Sequence, residues 1–240
     1  MKGTLYLIPC PISDETSVYD VTPAANKAII DSLDYFIVEN LRSARRFLSK
    51  AKIERSIDSL EFRELNEHTT EAREIEQMVE LIEQGRSAGV ISEAGVPAVA
   101  DPGALVVAAC HKRGIRCVPL VGPSSIIMAL MASGLNGQSF AFNGYLPIKE
   151  PERSRAIKSF ERRAQSENQS QIFIEAPYRN VKLFDQLLSV LAPNTKVTVA
   201  IDITDPNEYI LTKEVKEWKG VMSSSSKPEM NKKPTIFIIG

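Results

Sequence analysis

Two carboxylates, Glu93 and Asp101, stand in the segment ISEAGVPAVADPG (91–103) with neither lysine nor arginine beside them. Gly95, Pro97, Pro102 and Gly103 make the segment a tight loop. Phosphate loops are also glycine-rich, but they bring a basic residue or a helix N-terminus to their anion. An acidic loop of this kind suits a ligand that presents hydroxyls or a positive charge. Three further segments of small residues, PCPISD (9–14), VGPSS (121–125) and EAPYR (175–179), follow other apolar runs. Four such loops at strand ends point to a ligand held in a cleft largely by backbone groups. The same composition also serves ordinary strand-to-helix turns, which favour Gly, Pro and Ser. No GxGxxG follows the first strand, and neither GxxxxGK[ST] nor GxSxG occurs. A dinucleotide fingerprint, a P-loop and a hydrolase elbow are therefore excluded.

The elements that must position these loops alternate. Apolar runs at 4–9, 35–39, 87–92 and 116–122 read as strands. Between them, 22–33 (Thr N-cap, Pro at the first position), 41–52, 69–85 and 102–114 read as helices. Ile75, Met78, Val79 and Ile82 give the third of these one apolar face, with Gly85 as its stop. This alternation predicts a mostly parallel α/β domain over 1–120. It restarts with helices expected at 123–135, 153–165 and 178–193 and strands at 139–147 and 171–177. Segments 196–203, 208–218 and 235–240 then read as strands with little helix between them. A mixed α/β domain with antiparallel strands is expected over 121–240, with 221–234 as a polar loop.

The totals set outer limits. The chain has 240 residues, of which 43% are hydrophobic and 25% charged, ordinary values for a soluble globular protein. No apolar run approaches the roughly 20 residues of a membrane span. The first residues, MKGTLYLIPCPISD, read as a strand and not as a signal peptide. Three cysteines without CxxC spacing and two histidines argue against a zinc site, and sparse cysteine fits a reducing cytoplasm. Net charge is −1, so contact with nucleic acid would have to come from local patches. Two stretches qualify, 41–55 and 149–163, and either could equally be a solvated helix face.

Four blocks carry a family resemblance: ISEAGVPAVADPG, VPLVGPSSIIMALMASGL, FNGYLPIK and IFIEAPYR. In order and spacing they resemble the tetrapyrrole-methylase superfamily of S-adenosylmethionine-dependent methyltransferases. Within it the chain is most similar to the branch that methylates a cytidine 2'-hydroxyl of small-subunit ribosomal RNA. It departs from that pattern at CPISDETSVYD, VENLR, NEHTTE and AIDITD, where the family has forms like TPIGNLGD, CEDTR, HEHNE and ARELTK.

The resemblance implies a cofactor cleft between two α/β domains. It implies a cofactor site at Ile8 and Pro9, at Glu93, Ala94, Gly95 and Val96, at Ser124 and Ser125, and at Glu175, Ala176 and Pro177. His68, Glu39 and Arg42 are the implied candidates for chemistry at the acceptor, with Arg179 a further cation near Glu175. A ribose 2'-hydroxyl is a poor nucleophile, so a general base would help, and positioning of acceptor and donor is the protein's main task. The implied partners are small-subunit rRNA or the ribosomal particle and a second copy of the chain, with no metal and no membrane. Two other readings stay open: methylation of a corrin-type tetrapyrrole, and a relative that binds the cofactor without turnover.

Overall fold

A computed structural model describes residues 1–66, 72–224 and 227–240 and divides the chain into two units, Met1–Ser124 and Ser125–Gly240. The first unit is built on five strands: β1 (Thr4–Ile8), β2 (Tyr35–Val38), β3 (Glu61–Glu64), β4 (Ala88–Ile91) and β5 (Arg116–Pro119). All pair in parallel, in the order β3-β2-β4-β1-β5. Helices α1 (Val18–Val21), α2 (Asn26–Ser32), α3 (Leu41–Lys50), α4 (Ala72–Glu83) and α5 (Gly103–Lys112) cover the sheet. Every residue of β2 and β4 is buried, the signature of parallel strands covered on both faces. Side-chain alternation divides the core in two. Ile37 and Val90 face Val79, Ile82 and Val106, whereas Phe36, Val38 and Ile91 face Ala44 and Leu48.

Two local features depart from the sequence expectation. Thr22 does not start a helix but ends α1, where both its amide and its hydroxyl donate to the Val18 carbonyl (3.0 and 2.7 Å). Edge strand β3 (EFRE) carries too many charges to announce itself. Arg86 fastens it by donating to Glu61 Oε2 (2.5 Å) and Asp34 Oδ1 (3.0 Å).

The second unit carries α6 (Ser125–Ser133), β6 (Phe140–Tyr145), α7 (Glu152–Ser166), β7 (Ser170–Ile174), α8 (Asn180–Val190), β8 (Lys196–Ile201), β9 (Tyr209–Glu214), α9 (Val215–Met222) and β10 (Thr235–Ile239). Its sheet runs β6-β7-β10-β8-β9, parallel between β6 and β7 and antiparallel elsewhere. Phe173, Phe184, Phe237 and Trp218 form its aromatic centre, with Phe184 edge-on to Trp218 at 5.0 Å. The expected strand 208–218 breaks at Glu214, which forms a capping box with Glu217 and starts α9. Val215 and Trp218, three residues apart, then bury one helical face, and Trp218 Nε1 donates to the Val197 carbonyl at 2.8 Å.

Candidate functional site

The acidic loop leaves β4, whose buried AGVI sequence carries it to the carboxyl edge of the parallel sheet. Its backbone is clipped to the segment after β1 by a two-residue antiparallel bridge. Cys10 N donates to Gly95 O (2.8 Å), and Gly95 N donates to Cys10 O (3.2 Å). Gly95 has φ +70°, a conformation that glycine adopts without steric cost. Both polar groups of Gly95 are thus used inside the fold. The Cys10 side chain lies beneath, 3% exposed, and burial pushes its thiol pKa well up.

The two carboxylates have different duties. Asp101 accepts from the amides of Gly103 (Oδ1, 2.6 Å) and Ala98 (Oδ2, 2.8 Å), closing the loop onto α5. Burial raises its pKa, and the two amide bonds oppose that rise. A Cβ on Gly103 would stand 2.7 Å from Asp101 Oδ1, so this closure requires glycine. Asp101 therefore fastens its own loop. Glu93 is exposed, and its Oε1 accepts from Ser43 Oγ at 3.3 Å. Its amide donates to Glu39 Oε2 at 3.1 Å.

The neighbouring amides of Ala94 and Val96 have no hydrogen-bond partner among the described residues. A pair of unspent amides beside an exposed carboxylate fits a ligand that carries both acceptors and donors, such as an adenosine. A small cleft of about 30 Å³ adjoins Glu93, and its lining includes Cys10, Ser13, Asp14, Ser43, Arg46 and Lys50. Asp14 pairs there with Arg46 (3.2 Å) and Lys50 (3.4 Å). The loop CPISDETSVYD, where the chain departs from the family form, is thus one wall of this cleft.

Other implied residues of the first unit lie as follows. Ile8 is fully buried and its side chain packs in the core; Pro9 is buried as well. Asn40 caps α3 by accepting from Ser43 N (3.0 Å), so the VENLR segment sets Glu39 just ahead of the helix and Arg42 in its first turn. Arg42 is exposed and has no acidic partner among the described residues. Ser124 is half-buried. His68 lies outside the described residues. Ser43 was not anticipated. A serine in the first turn of a helix reads as capping or solvent-facing, and only the fold brings it to Glu93.

In the second unit, Ser125 opens α6 and is half-buried. Glu175 follows β7, with a side chain that is fully buried. Its Oε1 accepts from Arg179 Nη2 (2.6 Å) and from the Ala176 amide (2.7 Å). Its Oε2 lies 3.8 Å from Arg153 Nη2 and accepts no hydrogen bond. Arg153, 3% exposed, is held by the carbonyls of Pro147 (2.8 Å) and Ile148 (2.7 Å) and by Gln186 (3.4 Å). The Glu175 carboxylate therefore braces EAPYR from inside and takes the Ala176 amide, so what the segment can offer a ligand is the apolar surface of Ala176 and Pro177. Pro177 is exposed there, and its carbonyl accepts from Lys232 N at 3.1 Å. No cluster of three or more His, Cys, Asp or Glu suited to a metal ion occurs among the described residues. No described helix is long and apolar enough to cross a membrane.

Comparison with known proteins places these features in a family. The model for tetrapyrrole (corrin/porphyrin) methylases matches residues 4–218. A protein named ribosomal RNA small subunit methyltransferase I from Halalkalibacterium halodurans is 32% identical over 88% of this chain and 68% of its own length. The proteins of that name from Escherichia coli O157:H7 and Pasteurella multocida are each 30% identical, over 87% and 96% of this chain and 68% and 78% of their own. Among solved structures, the methyltransferase CobJ aligns over 99% of this chain and 94% of its own, with TM-score 0.62 and 16% identity. A uroporphyrin-III C-methyltransferase from Thermus thermophilus aligns over 100% and 93%, with TM-score 0.54 and 18% identity. Those two likenesses concern the fold. By the match over residues 4–218, the chain belongs to the tetrapyrrole (corrin/porphyrin) methylase family.

Proposed function

We propose that this protein transfers a methyl group from S-adenosylmethionine to a ribose 2'-hydroxyl of small-subunit ribosomal RNA. The observation that carries this reading is the 30–32% identity, spanning most of the chain, to proteins named for small-subunit rRNA methylation. When bound, S-adenosylmethionine supplies a methyl group activated by a sulfonium. The chain's own part is to hold and orient. In the first unit, the amides of Ala94 and Val96 and the carboxylate of Glu93 serve the cofactor, the carboxylate by accepting from a hydroxyl or amine. In the second unit, Ser125 and the apolar surface of Ala176 and Pro177 serve it. Glu39 keeps the Glu93 backbone in place through its 3.1 Å contact. His68 and Arg42 are proposed for the acceptor, His68 to take the hydroxyl proton and Arg42 to hold a phosphate. Positioning of this kind is what a displacement at an already activated methyl demands of a protein.

The test is transfer of labelled methyl from S-adenosylmethionine to small-subunit particles, or their RNA, from cells lacking the gene. Incorporation lost on alkaline-resistant dinucleotide mapping, or no incorporation into any form of the RNA, would defeat the reading. We also propose a cytoplasmic homodimer. Ile127 and Met131, one helical turn apart on α6 and 43% and 77% exposed, provide an apolar strip for a second copy. Light scattering that gives a monomer at micromolar concentration would remove that proposal.

A further inference from the structure

The two basic stretches of the sequence have different fates in the fold. On α3, Arg45 pairs with Asp58, and Arg46 and Lys50 pair with Asp14. Those three cations are thereby neutralised. On α7 the mid-helix acid is turned inward, where Glu161 Oε1 accepts from Ala192 N (2.6 Å) and Thr195 Oγ1 (2.5 Å), and Glu152 in the first turn is exposed and makes no ion pair with an arginine among the described residues. The inward side of α7 is Arg153, Ile157, Glu161 and Ala164. Its outward side shows Arg155, Lys158, Arg162 and Arg163, all exposed. Of these, Lys158 reaches Glu161 at 3.4 Å, while the three arginines have no acidic partner among the described residues. Arg155 and Arg162 are two helical turns apart, about 10.5 Å along the axis, so the charges form a row. In a chain of net charge −1, such a row is a local concentration of positive charge.

We infer that the outward face of α7 docks RNA, with Arg155, Arg162 and Arg163 meeting backbone phosphates. This rests on the proposed RNA substrate and names the surface that receives it. Unpaired guanidiniums gain most from phosphate, because no intramolecular ion pair must first be broken. Contacts of this kind position the RNA and make affinity steeply salt-dependent, without reading sequence.

The experiment compares the wild type with Arg155→Gln/Arg162→Gln/Arg163→Gln and with the charge-matched Arg45→Gln/Lys213→Gln/Lys216→Gln, whose three cations are ion-paired with Asp58, Glu217 and Glu214. Binding to small-subunit rRNA is followed by filter retention from 50 to 200 mM salt, alongside methyl transfer and S-adenosylmethionine titration. Each phosphate contact contributes about 0.7 to the salt slope on single strands and about 0.9 on duplex. The α7 variant is expected to flatten the slope by about 2, so that the wild type loses roughly 15-fold more affinity than the variant across that range. The ion-paired control should keep the wild-type slope, and all three proteins should bind S-adenosylmethionine alike. A wild type that methylates RNA with a slope untouched by the α7 changes, or flattened equally by the other variant, overturns the docking face and leaves the reaction standing. A wild type that neither binds nor methylates the RNA overturns both.

Discussion

The amide of Glu93 donates to the carboxylate of Glu39 at 3.1 Å, which ties the acidic loop to the segment leading into α3. The Glu39 amide in turn donates to the Ile91 carbonyl at 3.2 Å, so the tie runs both ways. A hydrogen bond to a charged acceptor is worth about 1.5–3 kcal/mol. Glu39 therefore braces the acidic loop, a duty separable by experiment from that of a base at the acceptor.

The two duties separate by substitution. Glu39→Gln keeps an acceptor oxygen, and it should bind S-adenosylmethionine within a few-fold of the wild type. Glu39→Ala should bind roughly tenfold more weakly. Calorimetric titration beside a single-turnover methyl-transfer assay decides it. Intact binding with abolished turnover in both variants would move Glu39 into the chemistry.

The parallel frame of the first unit was legible in the sequence because buried strands and amphipathic helices carry strong, regular patterns. The buried runs YFIV and AGVI are examples. The EFRE strand was not legible, since its place comes from Arg86, distant in sequence. Helix α9 was overlooked because EYILTKEVKEW alternates like a strand up to Glu214; the E-x-x-E cap was the available signal. At the site, motif positions indicated the loops, but not which groups remain free. That depends on partners brought by the fold, such as Cys10 for Gly95 and Arg153 for Glu175.

The acidic loop also holds backbone strain. Ala98 and Ala100 have φ +67° and +61°, a region that costs a residue with a Cβ roughly 1–2 kcal/mol. Ala100 is exposed, so glycine there removes strain without opening a cavity. Ala100→Gly should stabilise the protein by about 0.5–1 kcal/mol, after the entropy that glycine adds to the unfolded chain. Urea denaturation with an unchanged m-value would show this; a destabilised variant would mean that the loop does not hold this conformation in solution.

Acid sensitivity has an identifiable contributor in the same unit. The Arg86 hydrogen bond holds the Glu61 carboxyl below its ordinary value of 4.5, against an opposing effect of burial. A depressed carboxyl contributes stability that is present above the unfolded value and lost as pH falls through the folded one. The window is therefore below about pH 4.5. The pair is partly exposed, so solvent screening keeps the effect small. Glu61→Gln should flatten the fall in unfolding free energy between pH 5 and pH 3, with less change at neutral pH than an apolar substitution makes. An identical acid limb in the variant would assign the sensitivity to other carboxylates.

The strongest stability prediction concerns Arg153 and Glu175. Both side chains are almost wholly buried, and Arg153 also binds two carbonyls of the segment before α7. Replacing one member of a buried pair leaves the other charge uncompensated, which costs about 3–5 kcal/mol. Arg153→Met should approach that range, since the Pro147 and Ile148 carbonyls lose their donors as well. Arg179 still reaches Glu175 at 2.6 Å, which keeps the loss from rising further. Adding Glu175→Gln to Arg153→Met should recover part of the loss, because a neutral amide needs no counter-charge. A double-mutant cycle in urea measures the coupling. Strictly additive losses would mean that Arg153 supports the fold through its carbonyl contacts alone and leaves the carboxylate to Arg179.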